Sequence, residues 1–318
     1  MSTRPASLLL LVNPAAGGGA STERVLAAAA ELREAGHRVE VRQTTERGEA
    51  RRIAAREAAG FDRVAACGGD GTISEVAAGL LDAGASTPLV VVPAGTANDF
   101  AAAVGAGASA AEAVRLSLAG EVAPLDVGFA GDVPFVNAAS GGVAAEISES
   151  ISPERKAALG PLAYVATGLA KLGSLRGFEA RIEGEVGRFE GPLLFFAVAN
   201  GQTVGGGSRV APEALVDDGQ LDLVILPALP PASLLGALRA LRVGAEHPGL
   251  VRMRGPHFAF EADEEVTVTC DGEPLRAAAL AFHVVPAALS LVVHGPAPAR
   301  SWGRNDFPEK VVDDRGGI

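Results

Sequence analysis

Cysteine, lysine and the large aromatics are scarce in this chain of 318 residues. Its two cysteines, Cys67 and Cys270, cannot build a disulfide framework, and neither stands at metal-site spacing from a second Cys or a His. A reducing, cytoplasmic compartment is the simplest expectation. Lysine occurs only at Lys156, Lys171 and Lys310. The first 130 residues therefore lack the lysine of a P-loop and the strand lysine of protein kinases, so any phosphate held there must meet backbone N–H groups, arginine or magnesium. Positive charge is in deficit as well: the net charge of -11 argues against broad nucleic-acid binding but leaves room for a local basic patch. No apolar run approaches the roughly 18 to 20 residues that cross a bilayer. The run Leu8 to Val12 follows Arg4 and superficially resembles the centre of a signal peptide; it stops at Asn13-Pro14 and reads as a buried first strand.

What is present is apolar and glycine-rich. With 48% hydrophobic and 20% charged residues the chain should fold, and its length suits two domains. The first 130 residues alternate strand-like runs (8–12, 38–41, 63–66, 88–92) with Ala-rich periodic ones (21–35, 49–59, 72–83). Such alternation predicts βαβ units on a parallel sheet, in which the loops after the strands open on one edge. Residues 13–19, 44–48, 68–72 and 93–99 would then line one crevice. Among them, Gly68-Gly69-Asp70-Gly71-Thr72 directly follows an apolar run. Glycines let backbone N–H groups approach an anion, a helix behind adds its positive end, and the Asp can hold magnesium on a phosphate. A glycine-rich turn between strand and helix also has a plain packing explanation.

After Asp126 short alternating runs dominate, at 134–138, 178–183, 192–199, 221–226, 258–261, 266–270, 279–285 and 289–294. Helical stretches at 153–172 and 231–243 interrupt them, and residues 296–318 read as a loose tail. His37, His247, His257, His283 and His294 show no paired spacing for zinc. Arg51, Arg52 and Arg56 cluster on one helix, suited either to anionic headgroups or to a solvated face.

Taken in order, Asn13-Pro14-Ala15-Ala16-Gly17-Gly18-Gly19, Gly68-Gly69-Asp70-Gly71-Thr72 and Pro93-Ala94-Gly95-Thr96-Ala97-Asn98-Asp99-Phe100 resemble the diacylglycerol kinase catalytic domain family of bacterial lipid kinases, relatives of sphingosine and ceramide kinases. The resemblance continues through Leu125-Asp126-Val127-Gly128, Gly205-Gly206-Gly207, Asp217-Asp218-Gly219-Gln220-Leu221-Asp222 and Asp271-Gly272-Glu273-Pro274, so it covers nearly the whole chain. It implies an α/β fold with a Rossmann-like parallel-sheet domain over 1–128, a mainly antiparallel β-sandwich domain over 129–295 and the tail.

It further implies an ATP- and magnesium-dependent lipid kinase, with diacylglycerol as the first expected substrate and phosphatidic acid the product. ATP would contact Asn13, Pro14, Ala15, Ala16, Gly17, Thr44, Gly68, Gly69, Asp70, Gly71, Thr72, Ile73, Ser74 and Thr96. Asp70, Asp99 and Asp126 would surround the catalytic magnesium, and Glu273 would act as the general base on the lipid hydroxyl. By the residues alone, Asp271-Gly272 is equally a hairpin turn. A second magnesium site would use the Asp218 side chain and the carbonyls of Leu215 and Gln220; a solvated turn is the other reading of that segment. The expected partners are ATP and a lipid at the inner membrane face, met transiently, with no nucleic acid and with a homodimer left open. An NAD kinase and a catalytically silent nucleotide-binding regulator are the alternatives. The first is disfavoured by the Gly-Thr-Ala-Asn-Asp and Asp-Gly-Glu-Pro motifs, the second by the presence of all four catalytic carboxylates.

Overall fold

Leu8 to Leu11 are each fully buried, as a continuous apolar run must be when both faces of a strand are covered. A computed structural model, which describes residues 5–17, 19–106, 109–142 and 177–293, places this run in β1 (Ser7–Val12), between β2 (Arg38–Gln43) and β3 (Arg63–Gly68). Both neighbours run parallel to it, and β4 (Leu89–Pro93) extends the set beside β3. Strand alternation then sorts side chains into two cores. Leu9, Leu11, Val64 and Ala66 pack with Ile53, Ala54, Ile73 and Leu80 from helices α2 (Glu49–Glu57) and α3 (Asp70–Asp82). Leu8, Leu10, Ala65 and Cys67 pack on the opposite side with Val25, Ala28 and Ala29 of α1 (Gly19–Glu34) and Ala113 and Val114 of α5 (Ala110–Leu116). The short α4 (Asp99–Ala103) follows β4. Neither α4 nor α5 is foreshadowed by apolar periodicity, because five and seven residues are too few to display it.

The remaining strands pair antiparallel with one another. β5 (Glu121–Ala130) leads into β6 (Val133–Phe135) and β7 (Ala138–Gly142); β8 (Phe178–Gly184), β9 (Gly187–Ala199), β10 (Leu221–Pro227) and β11 (Val251–Gly255) follow, with a helix over Pro231–Val243 between the last two. Their inner faces bury Phe135, Phe196, Phe258, Phe260 and Phe282, and Phe196 stacks on Phe260 at 4.9 Å between centroids. The expected strand over 134–138 is broken at Val136 and Asn137, whose N–H groups donate to the Asp271 carboxylate instead of to a ladder. The pairs of short runs expected at 258–261 and 266–270, and at 279–285 and 289–294, each merge. They form β12 (His257–Cys270) and the 21-residue β13 (Glu273–Val293), each carrying one register shift.

β13 joins the two halves of the chain. Its first part pairs with β12, its second part from Phe282 to Val293 with β5, and Leu291 and Val292 lie parallel to Leu89 and Val90 of β4. All 13 strands of the described residues therefore belong to one hydrogen-bonded network. The expected helix at 153–172, the three lysines, His294 and the tail lie outside the described residues.

Candidate active site

The loops that follow β1, β2, β3 and β4 meet at one edge of the parallel strands. Asn13 N–H donates to the Cys67 carbonyl at 2.9 Å and its amide nitrogen to Thr72 Oγ1 at 3.3 Å, while its Oδ1 accepts the Ala15 N–H at 3.0 Å. Thr44 is buried and its N–H reaches the Val12 carbonyl at 2.9 Å. Close backbone approach explains two of the glycines. A Cβ on Gly95 would lie 2.5 Å from the Cα of Gly69, and one on Gly17, at φ 67°, would lie 2.1 Å from the Ala94 carbonyl oxygen. Asn98 holds the last loop in a left-handed turn (φ 52°), accepting the Gly95 N–H and donating to its carbonyl, both at 2.9 Å.

Within this crevice Pro14, Ala15, Gly17, Gly71 and Thr96 are exposed, Ala16, Gly69, Asp70 and Ser74 half-buried, and Thr72 and Ile73 buried. Gly68 and Gly69 run straight into α3, whose first turn carries Asp70. Asp70 Oδ1 accepts the Phe100 N–H at 2.9 Å; its other oxygen has no partner among the described residues. That open oxygen, beside a helix N-terminus, fits a magnesium ion carried on phosphate.

The other two expected magnesium aspartates are differently occupied. Asp99 is buried and its two oxygens accept the N–H groups of Gly206 and Gly207 at 2.8 and 2.7 Å. Gly205, Gly206 and Gly207 all have positive φ, and this left-handed run aims the N–H groups of Gly206 and Gly207 at the one carboxylate. Asp126, 2% exposed, accepts the Gly219 N–H at 2.6 Å and the Ala287 N–H at 2.7 Å. It stands opposite the shift in β13 between Val285 and Leu289, where Pro286 offers no ladder N–H and Ala287 turns left-handed at φ 50°. The expected acidic cluster of Asp70, Asp99 and Asp126 thus does not assemble: among the described residues no three Asp, Glu, His or Cys side chains converge to hold a metal ion. Both buried aspartates spend their oxygens on backbone donors.

Asp218 shares this fate in part. Its Oδ1 accepts the Gln220 N–H at 3.0 Å and its Oδ2 the guanidinium of Arg254. Leu215, Asp218 and Gln220 are all half-buried. Burial raises the Asp218 carboxyl above its ordinary range and pushes Asp222 up to about 6, with Arg254 opposing both shifts. The oxygen donors suit a hard cation, but Arg254 already supplies the countercharge that a metal would bring.

Glu273 lies immediately after the turn between β12 and β13, where Asp271 and Gly272 have φ of 47° and 94°. Asp271 accepts N–H groups from Val136, Asn137 and Ala138, the shortest at 2.7 Å, which pins the turn to the β6–β7 connection. Burial pushes its carboxyl up to about 6 against the pull of those donors. From the opposite half of the chain, Arg47 reaches Glu273 Oε1 at 2.7 Å and the Gly272 carbonyl at 3.2 Å. The Arg47 loop is itself fixed by Glu75 of α3, which accepts the N–H groups of Gly48 and Ala50 at 2.8 and 3.2 Å. Sequence reasoning missed Arg47, Glu75 and the role of Asp271. Nothing in spacing could reveal a pair separated by 226 positions. Asp271 carried a signal, since an Asp in a hairpin turn is prone to bond neighbouring N–H groups.

Cys67 and Cys270 are buried free thiols whose burial raises their pKa, that of Cys270 to about 12, so both serve as small packing residues. Among the expected surface arginines, Arg51 pairs with Asp82 at 2.6 Å and Arg52 with Glu46, which favours the solvated face.

Comparison with known proteins agrees with this architecture. Residues 7–130 match the diacylglycerol kinase catalytic domain, and residues 137–293 match the YegS C-terminal NAD kinase beta sandwich-like domain. A Pseudomonas putida protein named "Probable lipid kinase YegS-like" is 40% identical over 287 residues, covering 90% of this chain and 95% of that one. A Klebsiella pneumoniae protein of the same name is 37% identical over 292 residues, covering 91% and 96%. Among solved structures, one from Bacillus anthracis superposes with a TM-score of 0.79 at 26% identity, covering 93% of this chain and 97% of that one. The crystal structure of a diacylglycerol kinase from the same organism shares the fold at a TM-score of 0.71 and 22% identity, covering 92% and 99%. The chain belongs to the diacylglycerol kinase catalytic domain family, and it is a kinase.

Proposed function

We propose that this kinase transfers the γ-phosphoryl group of ATP to the hydroxyl of a membrane lipid, with diacylglycerol as the acceptor and magnesium as the metal. The observation that carries the reading is Glu273: a half-exposed carboxylate held by Arg47 beside the glycine-lined crevice. The glycine loops offer backbone N–H groups to the phosphates, and Asp70 offers its open oxygen to magnesium. Magnesium, when bound, would neutralise charge on the transferring phosphoryl group. Glu273 accepts the proton of the lipid hydroxyl as that oxygen attacks the γ-phosphorus, the bond from phosphorus to the bridging oxygen breaks and ADP leaves with that electron pair. Asp99 and Asp126 act one step removed. Through Gly206, Gly207, Gly219 and Ala287 they fasten the loops that close on the site. We assign no transfer step to the Asp218 segment, where Arg254 must move aside before a cation can bind.

Two measurements test the proposal. Labelled ATP offered with diacylglycerol, sphingosine, ceramide, phosphatidylglycerol, a polyprenol and NAD should label diacylglycerol; labelling of NAD alone overturns the reading. Glu273→Gln should lower kcat by about 100- to 10,000-fold while ATP binding, followed by calorimetry, stays as in the parent. Unchanged turnover removes Glu273 from the mechanism.

A further inference from the structure

The helix Pro231–Val243 has two unlike faces. Leu234, Ala237, Ala240 and Leu241 are buried, and this side packs with Ala197, Val210 and Val224. Leu235, Leu238 and Val243 point the other way and remain 56%, 39% and 58% exposed. Arg239 and Arg242 lie on that outer face, four and seven positions after Leu235. The helix contains no acidic residue, although the chain as a whole carries a net charge of -11. Elsewhere arginines close on carboxylates, as Arg51 does on Asp82, Arg115 on Glu31 and Arg181 on Glu183. Among the described residues no carboxylate pairs with Arg239 or Arg242.

Exposed aliphatic side chains flanked by uncompensated arginines are the composition of an interfacial helix. The apolar groups enter the headgroup–acyl boundary and the guanidinium groups meet lipid phosphates. Position adds to composition. The Arg242 carbonyl at the helix end accepts the Arg209 N–H at 2.9 Å, and just before Arg209 run Gly206 and Gly207, which hold Asp99. The patch is therefore joined to the rim of the crevice through a single short loop. We propose that this outer face docks the protein on an anionic membrane surface and brings the rim at Gly205 to Gly207 to the lipid headgroups. The purpose of such docking rests on the lipid-kinase reading; the docking itself does not.

Sedimentation of the full chain with vesicles, without ATP, provides the test. Binding should appear with phosphatidylcholine vesicles doped with phosphatidylglycerol, be absent with phosphatidylcholine alone, and weaken with salt. Arg239→Gln with Arg242→Gln should lower the partition by about 30-fold. Leu235→Ser with Leu238→Ser should remove binding at every salt concentration, with circular dichroism unchanged because both positions are exposed. Both variants should still phosphorylate a short-chain, monomerically dissolved diacylglycerol and fail on a long-chain one in vesicles. The proposal falls if the parent protein does not sediment, or if both variants sediment like it. It also falls if the face is covered by a second copy, seen as a dimer that Leu235→Ser with Leu238→Ser dissociates. A chain that sediments as described but phosphorylates no lipid upholds the docking and overturns the lipid-kinase reading; lipid turnover without vesicle binding does the reverse.

Discussion

A carboxylate's neighbours decide what it does, and Asp222 illustrates the cost of keeping one half-buried. Burial pushes its carboxyl up to about 6, and Arg254 at 3.6 Å offsets only part of that. Because the folded value lies above the ordinary carboxylate value, the stability linked to this group is fully present below about pH 4 and is lost as pH rises through about 6. Asp222→Asn should therefore leave acid stability near that of the parent and raise the unfolding free energy at pH 7 by on the order of 2 kcal/mol. Urea titrations at both pH values check this, and an equal change at both would contradict it. Asp70, Asp99 and Asp126 make the complementary point. All three were visible as motif residues, but their division into one open carboxylate and two loop anchors depends on backbone donors distant in sequence.

Among the elements, the β2–α2 loop shows how a site is assembled from parts with separate supports. Gly48 and Ala50 hang on Glu75, and Arg47 spans from that loop to the turn carrying Glu273. The pair is exposed, so its removal should change the unfolding free energy by less than about 1 kcal/mol. Its effect on turnover should be larger, since misplacing a reacting group costs up to about 100-fold. Arg47→Gln is expected to lower kcat by about ten- to a hundredfold with the unfolding midpoint nearly unchanged. A loss of stability that matched the loss of activity would make Arg47 merely structural. The bulge in β13 is the second such element. Pro286 signalled in the sequence that a regular ladder could not continue there, but not that Asp126 would face the gap.

For the whole molecule, β13 is the consequential strand. It covers the edge of β4 and pairs along the length of β5. A chain cut after Ala130 would expose both edges together with the apolar face of β5, including Leu125 and Val127. Such a fragment should fail to give a cooperative thermal transition and should aggregate, whereas residues 1–295 should unfold in one step. Circular dichroism and light scattering on the two proteins distinguish these outcomes. A stable fragment would establish that the N-terminal half folds by itself.

Elements whose signal is local are legible in the order of the residues. β1 to β4 and α1 to α3 follow from apolar period, the crevice loops from their glycines, and family membership from the ordered motifs. Each depends on neighbours a few residues apart, which composition and spacing record. Tertiary structure alone decided that short runs fuse into β12 and β13, that β13 ties the two halves together and that Asp99 and Asp126 anchor loops. It also decided that Arg47 meets Glu273, and that the helix Pro231–Val243 turns an arginine-bearing apolar face outward. Those outcomes depend on which distant N–H, carboxylate or guanidinium arrives at a given oxygen, and the chain path that brings them together is long-range.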